Sequence, residues 1–488
     1  MSDNHFDLGA MAHQEMLARG FHPDFPPAVI QQVKTLKAQA ASADGAAMSS
    51  EVRDLRSLLW SSIDNDTSRD LDQAEVAERV NGGTRVMVAV ADVDSDVPLG
   101  SPADRHAESE TTSVYTGVRT FPMLPEALST DLTSLNEGVD RLAIVIDMVV
   151  AADGAISSQG IYRAVVRNQA QLAYNGVGAW LEGGTAPPKV AASSDLAAQL
   201  KLQDEAARAI RGARNKLGAL NIDREETEPV LASDGQVQGI ETRQKNRASD
   251  VIENFMVAAN GVMARTLAAA GVSSIRRVVK TPERWQRIVE LAERSGETLP
   301  PDPDSGALNK FLEKRKAVDP VHYADLSLAV VKLMGPGEYV LSRAGQLAPG
   351  HFALAARDYT HSTAPNRRFP DTVTQRLIKS VIAKGEPPYS DSQLDAIASH
   401  CTQMESAARK VERAMNKRIA AVALQHRIGE MFAGVVTGVT PKGTFVRVLN
   451  PPAEGLLIHG EQGVDVGDQL QVKLISTDPR RGYIDFAR

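Results

Sequence analysis

The chain has 488 residues, of which 43% are hydrophobic and 24% charged, and its net charge is −7. At roughly 150 residues per domain it holds about three domains, and this composition excludes a wholly disordered chain. The acidic balance argues against non-specific coating of nucleic acid, which runs on basic surface, but leaves room for an enzyme with a local basic channel. Cys401 is the single cysteine. Neither an intrachain disulfide nor a cysteine-based zinc site can form, which suits a reducing cytoplasm. The amino terminus carries no signal-peptide pattern. The best candidate span, Leu142 to Val150, is short and broken by Asp147, so no membrane partner is expected.

Residues 1–60 read as a helical arm or small domain. Ala10 to Arg19 forms a short helix stopped by Gly20. Pro26-Pro27 sit where a helix can start, and Ala28 to Ala40 follows with Val29, Ile30, Val33 and Leu36 at helical spacing. A helix-turn-helix is one reading of this pair, and residues 40–47, small and polar, read as a linker. From about residue 61 strands take over. Ala74–Val80 and Arg85–Ala91 flank the hairpin signal Asn81-Gly82-Gly83-Thr84. Arg141–Val150 is another strand, Ala151–Gly154 its turn and Ile161–Val166 the return. Helices then dominate: Ser194–Lys216, Ser249–Ala270 and Asp371–Lys384, with Ser194, Ser249 and Asp371 as N-caps. A long helix runs from Asp391 towards Arg427. Residues 61–427 read as one large α+β domain with a mixed sheet. In 428–488 five short strands at even spacing predict a five-stranded barrel of OB type.

The strongest local feature is Ile63-Asp64-Asn65-Asp66-Thr67-Ser68-Arg69-Asp70-Leu71-Asp72-Gln73-Ala74. Four carboxylates this close repel each other unless a cation neutralises them. Their hard oxygens suit Mg²⁺, Mn²⁺ or Ca²⁺ rather than zinc, which points to a metal site for phosphoryl chemistry. Two other readings compete. A solvated acidic loop is the commonest fate of such aspartates. A calcium loop is the other, because Asp64, Asp66, Ser68, Asp70, Asp72 and Glu75 fall on EF-hand ligand positions. That loop needs glycine where Arg69 stands, and a helix where a strand pattern follows.

A second constellation is Tyr359-Thr360-His361-Ser362-Thr363-Ala364-Pro365-Asn366-Arg367-Arg368-Phe369-Pro370-Asp371. Arginine's planar fork matches phosphate oxygens, although an arginine pair near a helix start is by itself an ordinary surface feature. Charge partition joins the two segments. Residues 64–110 carry twelve acids and four bases, net −8, and residues 360–427 carry six acids and eleven bases, net +5. An acidic pocket for metals beside a basic path for a phosphate backbone is what a metal-dependent nuclease needs.

These motifs, in this order, resemble the ribonuclease II / ribonuclease R (RNB) family of exoribonucleases over most of residues 55–488. Val90-Ala91-Asp92-Val93, Pro122 to Ser129, Ser134 to Arg141 and Ile252 to Asn260 resemble further family signatures. The tail resembles an S1-type OB-fold through Gly434, Gly443-Thr444-Phe445-Val446, Glu454-Gly455-Leu456 and Val466-Gly467-Asp468. The resemblance implies processive 3′→5′ hydrolysis of single-stranded RNA to nucleoside 5′-monophosphates, with Mg²⁺ or Mn²⁺, by a monomer. It implies that Asp64, Asp70 and Asp72 hold the metals, with Asp72 the most critical for catalysis, and that Arg367 clamps the scissile phosphate beside Arg368. It implies that Tyr115 stacks near the 3′-terminal base and that Tyr174 and Glu253 read the ribose end. Glu412 matches a glutamate near the site. Phe445 and His459 match residues that face RNA on the barrel.

The sequence departs from the family pattern in four places. The aspartate pair at 72–73 is here Asp72-Gln73, so Gln73 can offer a metal only a neutral amide oxygen. A second 3′-end aromatic aligns near Ile222. The amino-terminal cold-shock barrels have no counterpart in the 60 mostly helical residues, and no basic tail follows the S1-like module. Gln73 raises a rival reading, an RNB-fold protein that holds RNA without cutting it.

Overall fold

Strands Gly83–Ala91 and Asp140–Val150 are apolar through most of their length, and each pairs along both edges. That is the pattern of central, doubly covered strands. In the computed structural model, which describes residues 6–42, 51–222, 226–232, 236–319, 323–346 and 349–488, they belong to a six-stranded mixed sheet. Its order is Arg53–Asp54, Ile156–Ala173, Trp60–Asp64, Gln73–Val80, Gly83–Ala91, Asp140–Val150. The 18-residue strand Ile156–Ala173 pairs antiparallel with Asp140–Val150 and parallel with both Arg53–Asp54 and Trp60–Asp64. The ladder therefore returns on itself. The hairpin turn is Asn81-Gly82, because Val80 opposes Gly83. Gly83 is obligatory here: its φ is +154° and a Cβ would lie 2.1 Å from the Val150 carbonyl oxygen.

Helices Ser194–Lys216 and Arg247–Ala269 cover one side of the sheet. Helix Phe369–Ile382 packs its buried Val373, Leu377 and Ile378 into the same core. The capping residues differ from the sequence reading by one to three positions. Ser193 caps the first helix, its side chain accepting from the Leu196 amide. Asn246 caps the second in a capping box with Ser249 at its third position. Arg368 occupies the cap position of the third, and Asp371 sits inside its first turn.

Other differences have tertiary causes. The arm ends before residue 60, since Arg53–Asp54 and Trp60–Asp64 already pair into the sheet. The strand expected at 161–166 runs from 156 to 173, because three neighbours share it. Helices Leu8–Ala18 and Pro27–Ser42 do form. They dock on different partners, the first on the long helix Asp391–Leu424 and the second on helix Pro102–Glu110. That is not the mutually packed pair of a helix-turn-helix. Most of the proposed linker, residues 43–47, lies outside the described residues. The hairpin Glu226–Leu231/Val237–Arg243 and the helices between Trp285 and Met334 went unread in the sequence. Those helices have their own small apolar core, and Ile222 packs against it.

The long helix Asp391–Leu424 starts with a Ser390–Gln393 capping box. Its buried stripe recurs at helical spacing and meets three cores in turn. Leu394, Ile397, Ala398 and Cys401 join the main core. Met404, Ala408, Val411, Met415 and Ile419 join a core shared with the arm. Ala420, Ala421 and Leu424 join the barrel. The barrel is closed, in the order Met431–Thr440, Gly443–Leu449, Pro452–His459, Tyr483–Ala487, Gln469–Asp478. Among the described residues no helix is long and apolar enough to cross a membrane.

Candidate active site

The aspartate loop bridges strands Trp60–Asp64 and Gln73–Val80, and several bonds pin it. The Ser134 hydroxyl accepts from the Leu71 amide and donates to the Arg69 carbonyl, both at 2.9 Å. The Leu135 amide donates to the Leu71 carbonyl at 2.9 Å, and the Ala91 amide to the Asp72 carbonyl at 2.9 Å. The signatures at 134–141 and 90–93 thus hold the loop in place.

Asp72 is 1% exposed. Its Oδ1 accepts from the Asn366 amide at 2.9 Å, and its Oδ2 faces Arg367 Nε at 3.3 Å without a hydrogen bond of its own. Burial pushes its carboxyl up to about 7, against the pull of Arg367. Asp70 is likewise raised by burial and accepts from the Tyr115 hydroxyl at 3.3 Å. Asp64 accepts from Ser68 Oγ at 2.8 Å. Burial works against the charge on Arg367, yet Asp72, Tyr115, Asp64 and Asp70 together keep its guanidinium firmly protonated. Arg367 thus pairs directly with Asp72 and lies in the field of Asp64 and Asp70. Segments 64–72 and 359–371, distant in sequence, meet at one point.

Arg368 goes elsewhere. Its fork closes on Asp371, Nε to Oδ2 at 2.9 Å and Nη2 to Oδ1 at 2.7 Å, and so turns from the expected phosphate partner to a fully buried carboxylate. Asp371 Oδ1 also accepts from the Ala364 amide at 2.8 Å, which fixes the turn that presents Arg367. Gln73, 5% exposed, opens the strand beside Asp72. Asp66 is exposed. Glu75 is fully buried on the strand, opposite Ser61, with both carboxylate oxygens unbonded. That overturns the calcium-loop alignment, which needs Glu75 at a helix start facing the loop.

Tyr174 begins a helix directly after Ala173, which pairs with Asp64. Glu253 lies on helix Arg247–Ala269 and is bonded to Lys245. Burial raises the Glu412 carboxyl, against the pull of the Tyr115 backbone. On the barrel Phe445 lies on the outward side of its strand, between buried Thr444 and Val446, and His459 is exposed. Asn366 has a role that the sequence does not reveal. Its amide holds Asp72, and its side-chain oxygen accepts from Thr133 Oγ1 at 2.5 Å. A backbone donor leaves no trace in residue type, so only position in the turn could have marked it.

A divalent cation can be tested against these donors. Among the described residues no three His, Cys, Asp or Glu side chains are gathered to hold an ion as they stand. Asp64 is turned to Ser68, Asp70 to Tyr115 and Asp72 to Asn366. The donor chemistry nevertheless fits: Asp64, Asp70 and Asp72 offer hard carboxylate oxygens from one short loop, and the buried Asp72 Oδ2 lacks a hydrogen bond.

The RNB domain family matches residues 52–384, and the RNase II-type exonuclease C-terminal S1 domain matches residues 430–488. The chain belongs to the RNB family. The RNB chain is 30% identical to ribonuclease R of Thermotoga maritima, over 95% of its own length and 68% of that protein. It is 31% identical to ribonuclease R of Escherichia coli, over 95% of its own length and 60% of that protein. It thus spans roughly three-fifths to two-thirds of these two relatives. In fold it is similar to Mycoplasma genitalium RNase R solved with ribose-methylated single-stranded RNA, with a TM-score of 0.87 at 24% identity over 99% of this chain and 78% of that one. It is also similar to yeast Ssd1, a pseudonuclease, with a TM-score of 0.66 at 19% identity over 84% of this chain and 51% of that one. One fold carries both a ribonuclease and a pseudonuclease, so the site must decide.

Proposed function

We propose that this RNB protein is a 3′→5′ exoribonuclease. It takes single-stranded RNA 3′ end first and releases nucleoside 5′-monophosphates processively, as a cytoplasmic monomer. The observation that carries this reading is Asp72, buried, unbonded at Oδ2 and set against Arg367. Asp64, Asp70 and Asp72 would hold Mg²⁺ or Mn²⁺, with Gln73 assisting. When bound, the cation supplies a Lewis acid and an activated water. The Asn366 amide fixes Asp72 Oδ1 and so orients the carboxylate. Arg367 stabilises the charge that builds on the scissile phosphate. Tyr115 stacks against the 3′-terminal base. Tyr174 and Glu253 read the ribose, where a 2′-hydroxyl contact separates RNA from DNA. Phe445 and His459 hold the chain upstream on the barrel. The relatives named ribonuclease R support the substrate class.

The test is a labelled oligoribonucleotide incubated with Mg²⁺, with and without chelator. The expected result is release of 5′-monophosphates that stops on chelation. The second reading, an RNA-holding relic, rests on Gln73 and on the fold shared with Ssd1. Tight binding without products would establish it instead.

A further inference from the structure

Strands Val114–Tyr115 and Thr120–Phe121 form a hairpin of only two residue pairs. A ladder this short has little stability of its own, so its position is set by what it packs on. Along the first strand the side chains alternate. Val114 is fully buried, while Tyr115 is 42% exposed with its hydroxyl on Asp70. Val114 and Phe121 sit in a core with Leu8, Ala12, Met16 and Phe21 of the arm and with five residues of the long helix.

The arm is fastened on both sides of this core. The carboxylate of Glu110 accepts from the His22 amide at 3.0 Å. Arg418 donates to Glu15 at 3.0 Å and to the Arg480 carbonyl of the barrel at 3.3 Å. One arginine of the long helix thus ties arm and barrel together.

We propose that residues 8–21 are a brace that positions Tyr115 for the 3′-terminal base, with Met16 at its centre. Only the identity of what Tyr115 touches rests on the exoribonuclease reading. Met16 is 2% exposed inside this core, out of reach of a substrate, so it is a positioning residue. A displacement of about 1 Å at a substrate-positioning group can cost up to roughly 10²-fold in rate.

The test uses the full chain and RNA with 2-aminopurine as its 3′-terminal base, bound in chelator so that it is not cut. Stacking on Tyr115 quenches this base. Met16→Ala should lose at least half of the quenching and lower kcat about tenfold while leaving RNA affinity within about twofold, and Met16→Leu should restore the quenching and kcat. In a Tyr115→Ala background Met16→Ala should add nothing, because its effect runs through that ring. Equal losses in both backgrounds, or unchanged quenching, overturn the proposal. Phe21→Leu, a milder change in the same core, serves if Met16→Ala does not fold by circular dichroism, and the same outcomes apply. If the wild type releases no monophosphates, the exoribonuclease reading fails, while the quenching still decides the brace.

Discussion

The catalytic core and the barrel solve opposite problems. The core buries charge: Asp72, Glu75, Asp92, Asp104, Asp147, Arg277, Asp371 and Arg376 are all buried. The barrel has an all-apolar core, and Thr444 is the one buried polar residue of 428–488. Buried charges cost stability unless paired, and here most are paired, Asp92, Asp94 and Asp104 with Lys379 and Arg376, Asp371 with Arg368, and Asp147 with Arg85. The barrel buries Phe432 and Phe486 in that core and keeps its polar groups, with Phe445 and Tyr483, on the outside, where a flexible polyanion can find them. The difference predicts a clean division: changes in the core should alter rate, and changes on the barrel should alter affinity.

The largest effect tests that division directly. Asp72→Asn should lower hydrolysis by more than about 10³-fold while RNA affinity in a filter-binding assay stays within about threefold. An equal loss of affinity would break the comparison. Arg367→Ala should cost about 10²–10³-fold in kcat, as does loss of one transition-state donor elsewhere. Phe445→Ala should weaken RNA binding by roughly tenfold, within the about 1–3 kcal/mol of one stacked base, with kcat unchanged at saturating RNA. Gln73→Asp should lower the half-saturating Mg²⁺ concentration a few-fold, and a rise would show that the neutral amide suits the site better.

The buried carboxylate also predicts a pH signature. Asp72 titrates at about 7 in the fold against about 3.8 unfolded, a raised value. Its protonated form therefore favours the fold below pH 4, and that contribution is lost as pH rises through 7. In metal-free protein at pH 8, Asp72→Asn should gain up to about 4 kcal/mol in urea unfolding, and the gain should shrink towards zero at pH 4. An unchanged difference across that range would place the cost elsewhere.

The barrel was legible because each strand is short, alternating and bounded by turn residues, so local pattern and final structure agree. The aspartate loop was legible because carboxylate crowding is visible in one dimension. Arg368 misled for the same reason. Its neighbour Arg367 has identical local chemistry, and only Asp371, three residues on and buried, separates their roles. The strand Ile156–Ala173 was read too short because its outer thirds carry polar residues that only sheet neighbours can hold extended. Asn366 acts through a backbone amide, which no residue type announces.

The helix Asp391–Leu424 has 34 residues and is about 50 Å long. It serves three cores with one stripe, so its residue count is itself a dimension of the molecule. Removing one residue between Cys401 and Met404 would turn everything downstream by about 100° and draw it back about 1.5 Å. The arm's socket and the barrel would then face the wrong way, although no contact residue had changed. The distance from barrel to aspartates is in this sense written as a number of helical residues, and it can be altered in steps but not smoothly.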